Sequence, residues 1–324
     1  MKSKTSLVIP NYNGIQYIGD CLQSLRSQTL SPDRVIVVDN GSSDGSNALV
    51  REQFPEVQLI EFPENTGFCG AVNEGIRASA DMDYVILLNN DTIADPDFVR
   101  ELVKAMEEDS RRFSAQARML QMKDPSLLDD AGDLYCALGW AFARGKGKPA
   151  ERYDRPGKIF FSCAGAAIYR ISLLNEIGLF DEHHFAYLED ADIGWRARIS
   201  GYINYYVPSA VVRHVGSASS GSVYNLFKVK NTSRNSIYLI AKNMPPLMVI
   251  LNLPLLLPGF LVKAVFFALR GFGAEYIRGI FRGFLLSAKG RREGRCVSFR
   301  RQNLPHYVRI QIELWVNTVR RFLR

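Results

Sequence analysis

The chain has 324 residues, 47% of them apolar, which is enough to bury one large core or two modest ones and excludes a disordered chain. Its formal charge of +7 is uneven: residues 263–324 hold 14 Lys/Arg against 3 Asp/Glu, a net of +11, so residues 1–262 carry −4. Five scattered cysteines (Cys21, Cys69, Cys136, Cys163 and Cys296), with no CxxC pair and no zinc-like spacing to histidine, argue against a structural zinc site and for free thiols in a reducing compartment.

The N-terminus, MKSKTSLVIPNYNG, lacks the apolar run of a signal peptide, so a cytoplasmic protein is expected. Residues 6–10 read as a strand and 14–27 as a helix with apolar Ile15, Ile18, Leu22 and Leu25 on one face. Residues 34–39 make a second strand, and a helix follows Ser43 and Asp44. Strand 57–62, helix 67–80 and strand 84–89 complete the series. Continuous apolar strands separated by helices predict a parallel sheet covered on both faces, with ligands at the carboxyl ends of its strands. Those ends carry Pro10-Asn11-Tyr12, Asp39-Asn40-Gly41-Ser42 and Asn89-Asn90-Asp91, three polar clusters at one sheet edge. Residues 121–158 are rich in Gly, Lys and Asp and read as long loops. Strands are expected at 158–170, 201–208 and 210–216, the last ending near His214, with a helix over 189–200. Residues 247–269 are nearly all apolar, and the basic tail follows.

Four stretches carry candidate chemistry. In VVDNGSSDGS (37–46), Asp39 at a strand tip can accept hydrogen bonds from a base or ribose, and the turn favours phosphate; a helix capped by Ser43 or Asp44 explains the same residues. In ENTGFCGAVNEGIRAS (64–79), Asn65, Gly67 and Arg77 are candidates, beside the alternative that the small residues serve packing. In HHFAYLEDADIGWRARISGY (183–202), Glu189, Asp190 and Asp192 crowd a helix start, where the dipole favours acids. Flanking Phe185, Tyr187, Leu188 and Trp195 would hold a carboxylate against apolar walls and raise its pKa toward that of a general base. Arg234, in VKNTSRN after the Ser/Gly-rich run 216–222, suits phosphate recognition or a surface ion pair. A ligand role for His214 requires that it face Asp91.

These motifs, in this order over residues 5–245, resemble inverting family-2 glycosyltransferases, and among them the bacterial rhamnosyltransferase-like subgroup. The resemblance implies an α/β GT-A fold with a nucleotide-binding half (1–120) and an acceptor-binding half (121–243), followed by an extension over 244–324. It implies that Pro10, Asn11, Tyr12, Asp39, Asn65, Gly67, Arg77, Asn89, Asn90, Asp91 and Arg234 bind the nucleotide-sugar donor. Asp91 and His214 would ligate Mg2+ or Mn2+, and Asp190, next to Glu189, would be the catalytic base. Asp192, Trp195 and Trp140 are the acceptor-side candidates. The first acid of the family's DxD motif is Asn89 here, which removes one charge while keeping a neutral oxygen ligand. The implied activity is transfer of a sugar, rhamnose from dTDP-rhamnose in the first instance, to a glycan or polyprenyl-linked glycan in surface polysaccharide assembly. A UDP- or GDP-sugar donor and a catalytically weak membrane adaptor are the alternatives.

A nucleotidyltransferase would need a basic loop after the first strand, and PNYNGIQYIG has no Lys or Arg. Nucleic-acid binding by the tail lacks any known module. Pro254, Pro258, Asn252 and Lys263 interrupt the apolar stretch and argue against one straight span. The expected partner of this extension is the cytoplasmic face of the inner membrane, contacted through an interfacial apolar hairpin or helix with the basic tail behind it. A homo-oligomer is a further expectation.

Overall fold

A computed structural model describes residues 3–216 and 224–323. Of the Ser/Gly-rich run 216–222, only Gly216 lies within the described residues. The first half alternates as the apolar pattern requires: β1 (Thr5–Asn11), α1 (Ile18–Arg26), β2 (Arg34–Asp39), α2 (Ser46–Gln53), β3 (Gln58–Glu61), α3 (Gly67–Arg77) and β4 (Tyr84–Leu88). Strands β1 to β4 pair in parallel, with Asn11 beside Asp39 at the carboxyl edge. Leu7, Ile9, Ile86 and Leu88 face one core, and Val8, Val85 and Leu87 face the other, as period-two alternation in a doubly covered sheet demands.

The sheet then turns mixed. β5 (Thr92–Ala94), α4 (Phe98–Glu107) and β6 (Arg112–Gln121) lead to β11 (Ala166–Arg170), α5 (Ile171–Ile177), α6 (Glu189–Ile199) and β12 (Ile203–His214). β11 runs antiparallel between β4 and β6, and β12 pairs in parallel with β6. The strands expected at 201–208 and 210–216 are one strand whose register shifts between Val207 and Val211. Pro208 lies in the shifted stretch and has no N–H to give the ladder. The single strand expected over 158–170 is two: β10 (Gly157–Ile159) pairs with β12, and β11 enters the sheet separately.

Residues 121–158 are not long loops. They form β7 (Leu128–Asp130), β8 (Asp133–Cys136), β9 (Trp140–Ala143) and a 3-10 turn at Ala150–Tyr153. β7 pairs with β6, β8 and β9 form a hairpin, and Leu128, Ala131, Leu134 and Tyr135 are buried.

From residue 224 the described chain carries four α-helices: α7 (Leu226–Asn243), α8 (Pro246–Ala268), α9 (Gly273–Arg292) and α10 (Leu304–Phe322). Pro254 and Pro258 lie inside α8, so the expected break in the apolar stretch does not occur. One stripe of α8 (Met248, Asn252, Leu256 and Gly259) is buried, and that packing offsets the hydrogen bonds the prolines forfeit. α8 and α10 share a core with Tyr135, Phe160 and Trp195, and reciprocal amide bonds join Asn252 to Gln311.

Candidate active site

The carboxyl ends of β1, β2 and β4 carry one buried amide–carboxylate network. Asn11 Nδ2 donates to Asp39 Oδ1 at 2.9 Å and Ser46 Oγ at 2.8 Å, and Asn90 Nδ2 donates to Asn11 Oδ1 at 2.7 Å. A Cβ at Gly14 would sit 2.1 Å from Asn90 Nδ2, so the first loop must carry glycine there. Asp39 Oδ2 accepts the Ser42 N–H at 3.0 Å. The N-cap of α2 is Gly45, in a left-handed conformation, rather than Ser43 or Asp44; Asp44, one residue before it, accepts from Ser46 N and Oγ and from Ile15 N. Asn40 fixes the entry to α3 by donating to Asn65 Oδ1 and Gly67 O and accepting from Thr66 N. Tyr12 is 45% exposed at the rim, one residue past β1.

β12 brings His214 opposite Thr92, immediately after Asp91. His214 Nε2 lies 3.2 Å from Asp91 Oδ1, and its Nδ1 lies 2.8 Å from Asp129 Oδ2. Lys146 Nζ holds the other Asp129 oxygen at 2.6 Å. Burial pushes the imidazole down, but its hydrogen bonds to Asp129 and Asp91 outweigh burial and hold it at about 9. Burial also works against the Asp129 carboxylate, yet His214 and Lys146 hold it at about 2. A divalent cation that displaces the Nε2 proton would meet the Asp91 carboxylate and a neutral imidazole nitrogen whose other nitrogen is anchored on Asp129, a donor pair that fits such a cation. Asn89 is tied through its backbone, its N–H to Gly165 O at 2.9 Å and its carbonyl accepting from Thr92 Oγ1 at 2.7 Å.

Asp190 sits in the first turn of α6, where burial and the neighbouring Glu189 push its carboxyl well above the usual range against a hydrogen bond from the Ala164 N–H. Its Oδ1 has no hydrogen-bond partner, and neither does Glu189 Oε2. Burial raises Glu189 to about 7. Ala164 adjoins Gly165, whose carbonyl receives the Asn89 N–H, so the base candidate and the Asn89–Asp91 tip share one wall. Asp130, Asp133 and Cys163 bring ligand atoms within 4.8 Å of one another at this wall. Burial raises Asp130 to about 6, and burial together with Asp130 and Asp190 raises Asp133. The sequence does not single out Asp129, Asp130, Asp133 or Lys146, and it offers Cys163 only as a free thiol. The available signal was an acid-dense D-D-A-G-D run (129–133) between apolar Leu127-Leu128 and Leu134-Tyr135.

Several expected contacts are made elsewhere. Asp192 is fully buried and pairs with Arg196 at 3.0 Å and Lys242 at 2.9 Å, so it is a core ion rather than an acceptor ligand. Trp195 is buried edge-on against Tyr135 and Phe160. Trp140 docks α8 by donating from Nε1 to Gly259 O at 3.1 Å. Arg77 ends α3, about 15 Å along the helix from Gly67, and pairs with Glu74 and Glu182. Arg234 spends its guanidinium on the carbonyls of His183 and His184 rather than on the strand tips. The buried trio Asp181, His184 and Asp192 has metal-like spacing, but the Lys242 ammonium lies between its two carboxylates.

A family model described as glycosyl transferase family 2 matches residues 6–178, more than half of the chain. The N-acetylglucosaminyl-diphospho-decaprenol L-rhamnosyltransferase of Mycobacterium tuberculosis is 29% identical over 237 residues, covering 66% of this chain and 77% of that protein. The O-antigen chain rhamnosyltransferase RfbN of Salmonella typhimurium is 28% identical over 213 residues, covering 65% of this chain and 66% of RfbN. Among solved structures, GalNAc-T7 with UDP, GalNAc and Mn2+ superposes with a TM-score of 0.59 at 14% identity, over 74% of this chain and 48% of that one. The mannosyltransferase PcManGT from Pyrobaculum calidifontis, in complex with GDP-Man and Mn2+, superposes with a TM-score of 0.55 at 17% identity, over 90% and 87%. The fold is the α/β GT-A fold, followed by a helical C-terminal region.

Proposed function

The chain belongs to glycosyl transferase family 2, and from that premise we propose that it is an inverting, metal-dependent rhamnosyltransferase. The donor is dTDP-rhamnose, and the acceptor is a hydroxyl of a polyprenyl-linked glycan at the cytoplasmic membrane face. The observation that carries the reading is a buried, partnerless carboxylate oxygen on Asp190 sharing a wall with the strand tip of Asn89 to Asp91. The two rhamnosyltransferase relatives support the sugar, and the name of the mycobacterial one supports a lipid-diphosphate acceptor.

On this reading Tyr12 and Asp39 receive the nucleoside, and Asn11 with Asn90 floors the diphosphate. Mg2+ or Mn2+ held by Asp91 and His214 would neutralise charge on the departing diphosphate. Asp190 takes the proton of the acceptor hydroxyl as that oxygen bonds to the anomeric carbon and the carbon–diphosphate bond breaks. One in-line displacement inverts the centre, and the products are dTDP and the extended glycan. Burial that raises a carboxyl also makes it a stronger base once ionised, which suits this role.

The C-terminal helices support membrane contact. Leu247, Leu257 and Leu261 of α8, Phe281 and Leu285 of α9, and Trp315 and Phe322 of α10 are exposed, within a segment of net charge +11. Helix Pro246–Ala268 has the length and apolar composition to cross a bilayer, and 17% of its apolar window is buried. Flotation with anionic liposomes tests contact: the full chain should float, a chain ending at residue 243 should not, and absence of the full chain from the vesicles contradicts it.

Transfer itself is tested by incubating the protein with dTDP-rhamnose, Mn2+ and a polyprenyl-diphosphate-linked N-acetylglucosamine. Wild type should form a product of inverted anomeric configuration, and Asp190→Asn should form it at least about 100-fold more slowly while still binding dTDP. Retained configuration, or turnover by Asp190→Asn near that of wild type, refutes the assignment.

A further inference from the structure

The backbone leading into Asp190 is unusual. Phe185, Tyr187 and Leu188 have φ of 61°, 71° and 67°, three of the four positive-φ non-glycine residues among those described. Phe185, with ψ of −61°, centres a γ-turn closed by Ala186 N donating to His184 O at 2.7 Å, the strained hand of that turn. Such a run persists only where its surroundings over-determine it.

α7 supplies those surroundings. Asn235, fully buried, donates from Nδ2 to the carbonyls of His184 at 2.9 Å, Ala186 at 3.0 Å and Tyr187 at 2.7 Å. Arg234 donates to the carbonyls of His183 and His184 and, through Nε, to Asn235 Oδ1 at 2.9 Å. Further along the same face, Tyr238 and Lys242 bind Asp181, and Lys242 and Asn243 bind Asp192. Residues 234, 235, 238, 242 and 243 form one helical stripe, and the segment from Asp181 to Asp192 is laid along it. α9 backs the helix closely: a Cβ at Gly283 would fall 2.6 Å from Arg234 O.

We propose that Arg234 and Asn235 are positioning residues that hold the Phe185–Leu188 backbone in its left-handed course and so aim the Asp190 carboxylate. This rests on the transferase reading of Asp190 and replaces a phosphate-binding role for Arg234. Neither side chain touches the reacting atoms. Asn235 works because one amide group can donate to several converging carbonyls, which no carboxylate can do.

The test uses the full chain as wild type, Asn235→Ala, Arg234→Ala and Arg234→Lys. Amide exchange over 185–190 should rise at least about tenfold in Asn235→Ala while β1 and β4 keep theirs. The kcat with dTDP-rhamnose should fall about 100-fold, with donor KM and the Kd for dTDP and Mn2+ changed less than about twofold. Arg234→Lys, which keeps a donor, should recover most of the kcat that Arg234→Ala loses. Unchanged exchange over 185–190 overturns the clamp, whatever the activity. Equal losses in kcat and in dTDP binding overturn it too, because general loosening gives that pattern. Failure of wild type to bind either dTDP or dTDP-rhamnose refutes the transferase reading, and with it the aim at a base, while exchange separately judges the backbone clamp.

Discussion

Lys242 is the side chain whose removal the structure penalises most clearly. Its ammonium lies 2.6 Å from Asp181 Oδ2 and 2.9 Å from Asp192 Oδ2, with all three side chains at most 4% exposed. Lys242→Met keeps the stem volume and removes the ammonium that two buried carboxylates share, leaving Asp192 with Arg196 at 3.0 Å and Asp181 with Arg295 at 3.3 Å. Breaking a buried pair in this way costs about 3–5 kcal/mol. Tyr238 still binds Asp181, and Arg196 and Asn243 still bind Asp192, so the lower end, about 3 kcal/mol, is expected. At about 2.1 cal/mol/K per residue the whole chain unfolds with an entropy near 0.7 kcal/mol/K, so Tm should drop by about 4 °C. The pH dependence sharpens the test. In wild type, burial alone would raise both carboxyls, but Lys242 overrides it and holds them well below the usual range. Their contribution is therefore present above the ordinary carboxylate pKa and lost only as pH falls through the lowered native values. In Lys242→Met the largest lowering influence is gone while burial and mutual repulsion remain, so both carboxyls rise from their native values and protonation relieves the variant as pH falls from 8 to 5. Urea unfolding at pH 8 and pH 5 reads both effects. A loss below about 1 kcal/mol at pH 8, under even the low end for a broken buried pair, or a gap that does not narrow by pH 5, refutes the reasoning.

Other outcomes follow from the site. Asp190→Asn should lower kcat by at least about 100-fold, the contribution of a positioned base, with dTDP binding intact by calorimetry. Because the base must be ionised and its carboxyl is raised by burial and Glu189, transfer should fade as pH drops through a limb above the ordinary Asp value; Glu189→Gln removes a neighbouring charge and should move that limb to lower pH. Asp129→Asn leaves His214 Nδ1 without its carboxylate and should weaken Mn2+ binding about 10- to 100-fold, read by electron paramagnetic resonance on the free protein; unchanged affinity contradicts a ligand role for His214. Gly14→Ala should displace Asn90 from Asn11 and weaken dTDP binding, since its Cβ meets both side chains within 2.3 Å.

The strand tips were legible because β1, β2 and β4 contain continuous apolar runs (residues 7–9, 35–38 and 84–88) that stop abruptly at polar ends, a pattern that parallel sheets leave in sequence. His214 could be placed near a strand end from VVRH, but its facing Asp91 depends on β12 pairing with both β5 and β6, which is long-range. Asp129, Asp130 and Asp133 were hidden because β7 and β8 are three and four residues long and acid-rich, so local propensity reads them as turns. Their strand geometry comes from pairing with β6 and β9. Asp192 and Trp195 misled for a related reason. Acids at a helix start and an aromatic nearby look like a substrate wall, and only α7, whose Lys242 lies 50 residues on, shows that Asp192 is turned inward. In α8 tertiary packing overrides the local effect of the prolines, because a buried stripe against α10 and the β8–β9 hairpin holds the helix together.

The central claim is that the strand-tip network, Asp91 and His214 form a metal-assisted site for a nucleotide sugar. Its most direct test is the melting temperature of the wild-type chain with dTDP-rhamnose, dTDP, UDP- and GDP-sugars, each with Mn2+ and with chelator. Ligand at 100 times its Kd stabilises the folded state by about 2.7 kcal/mol. The expected result is a rise with dTDP-rhamnose and with dTDP in Mn2+ that vanishes in chelator. No rise with any nucleotide sugar in Mn2+ would contradict the account.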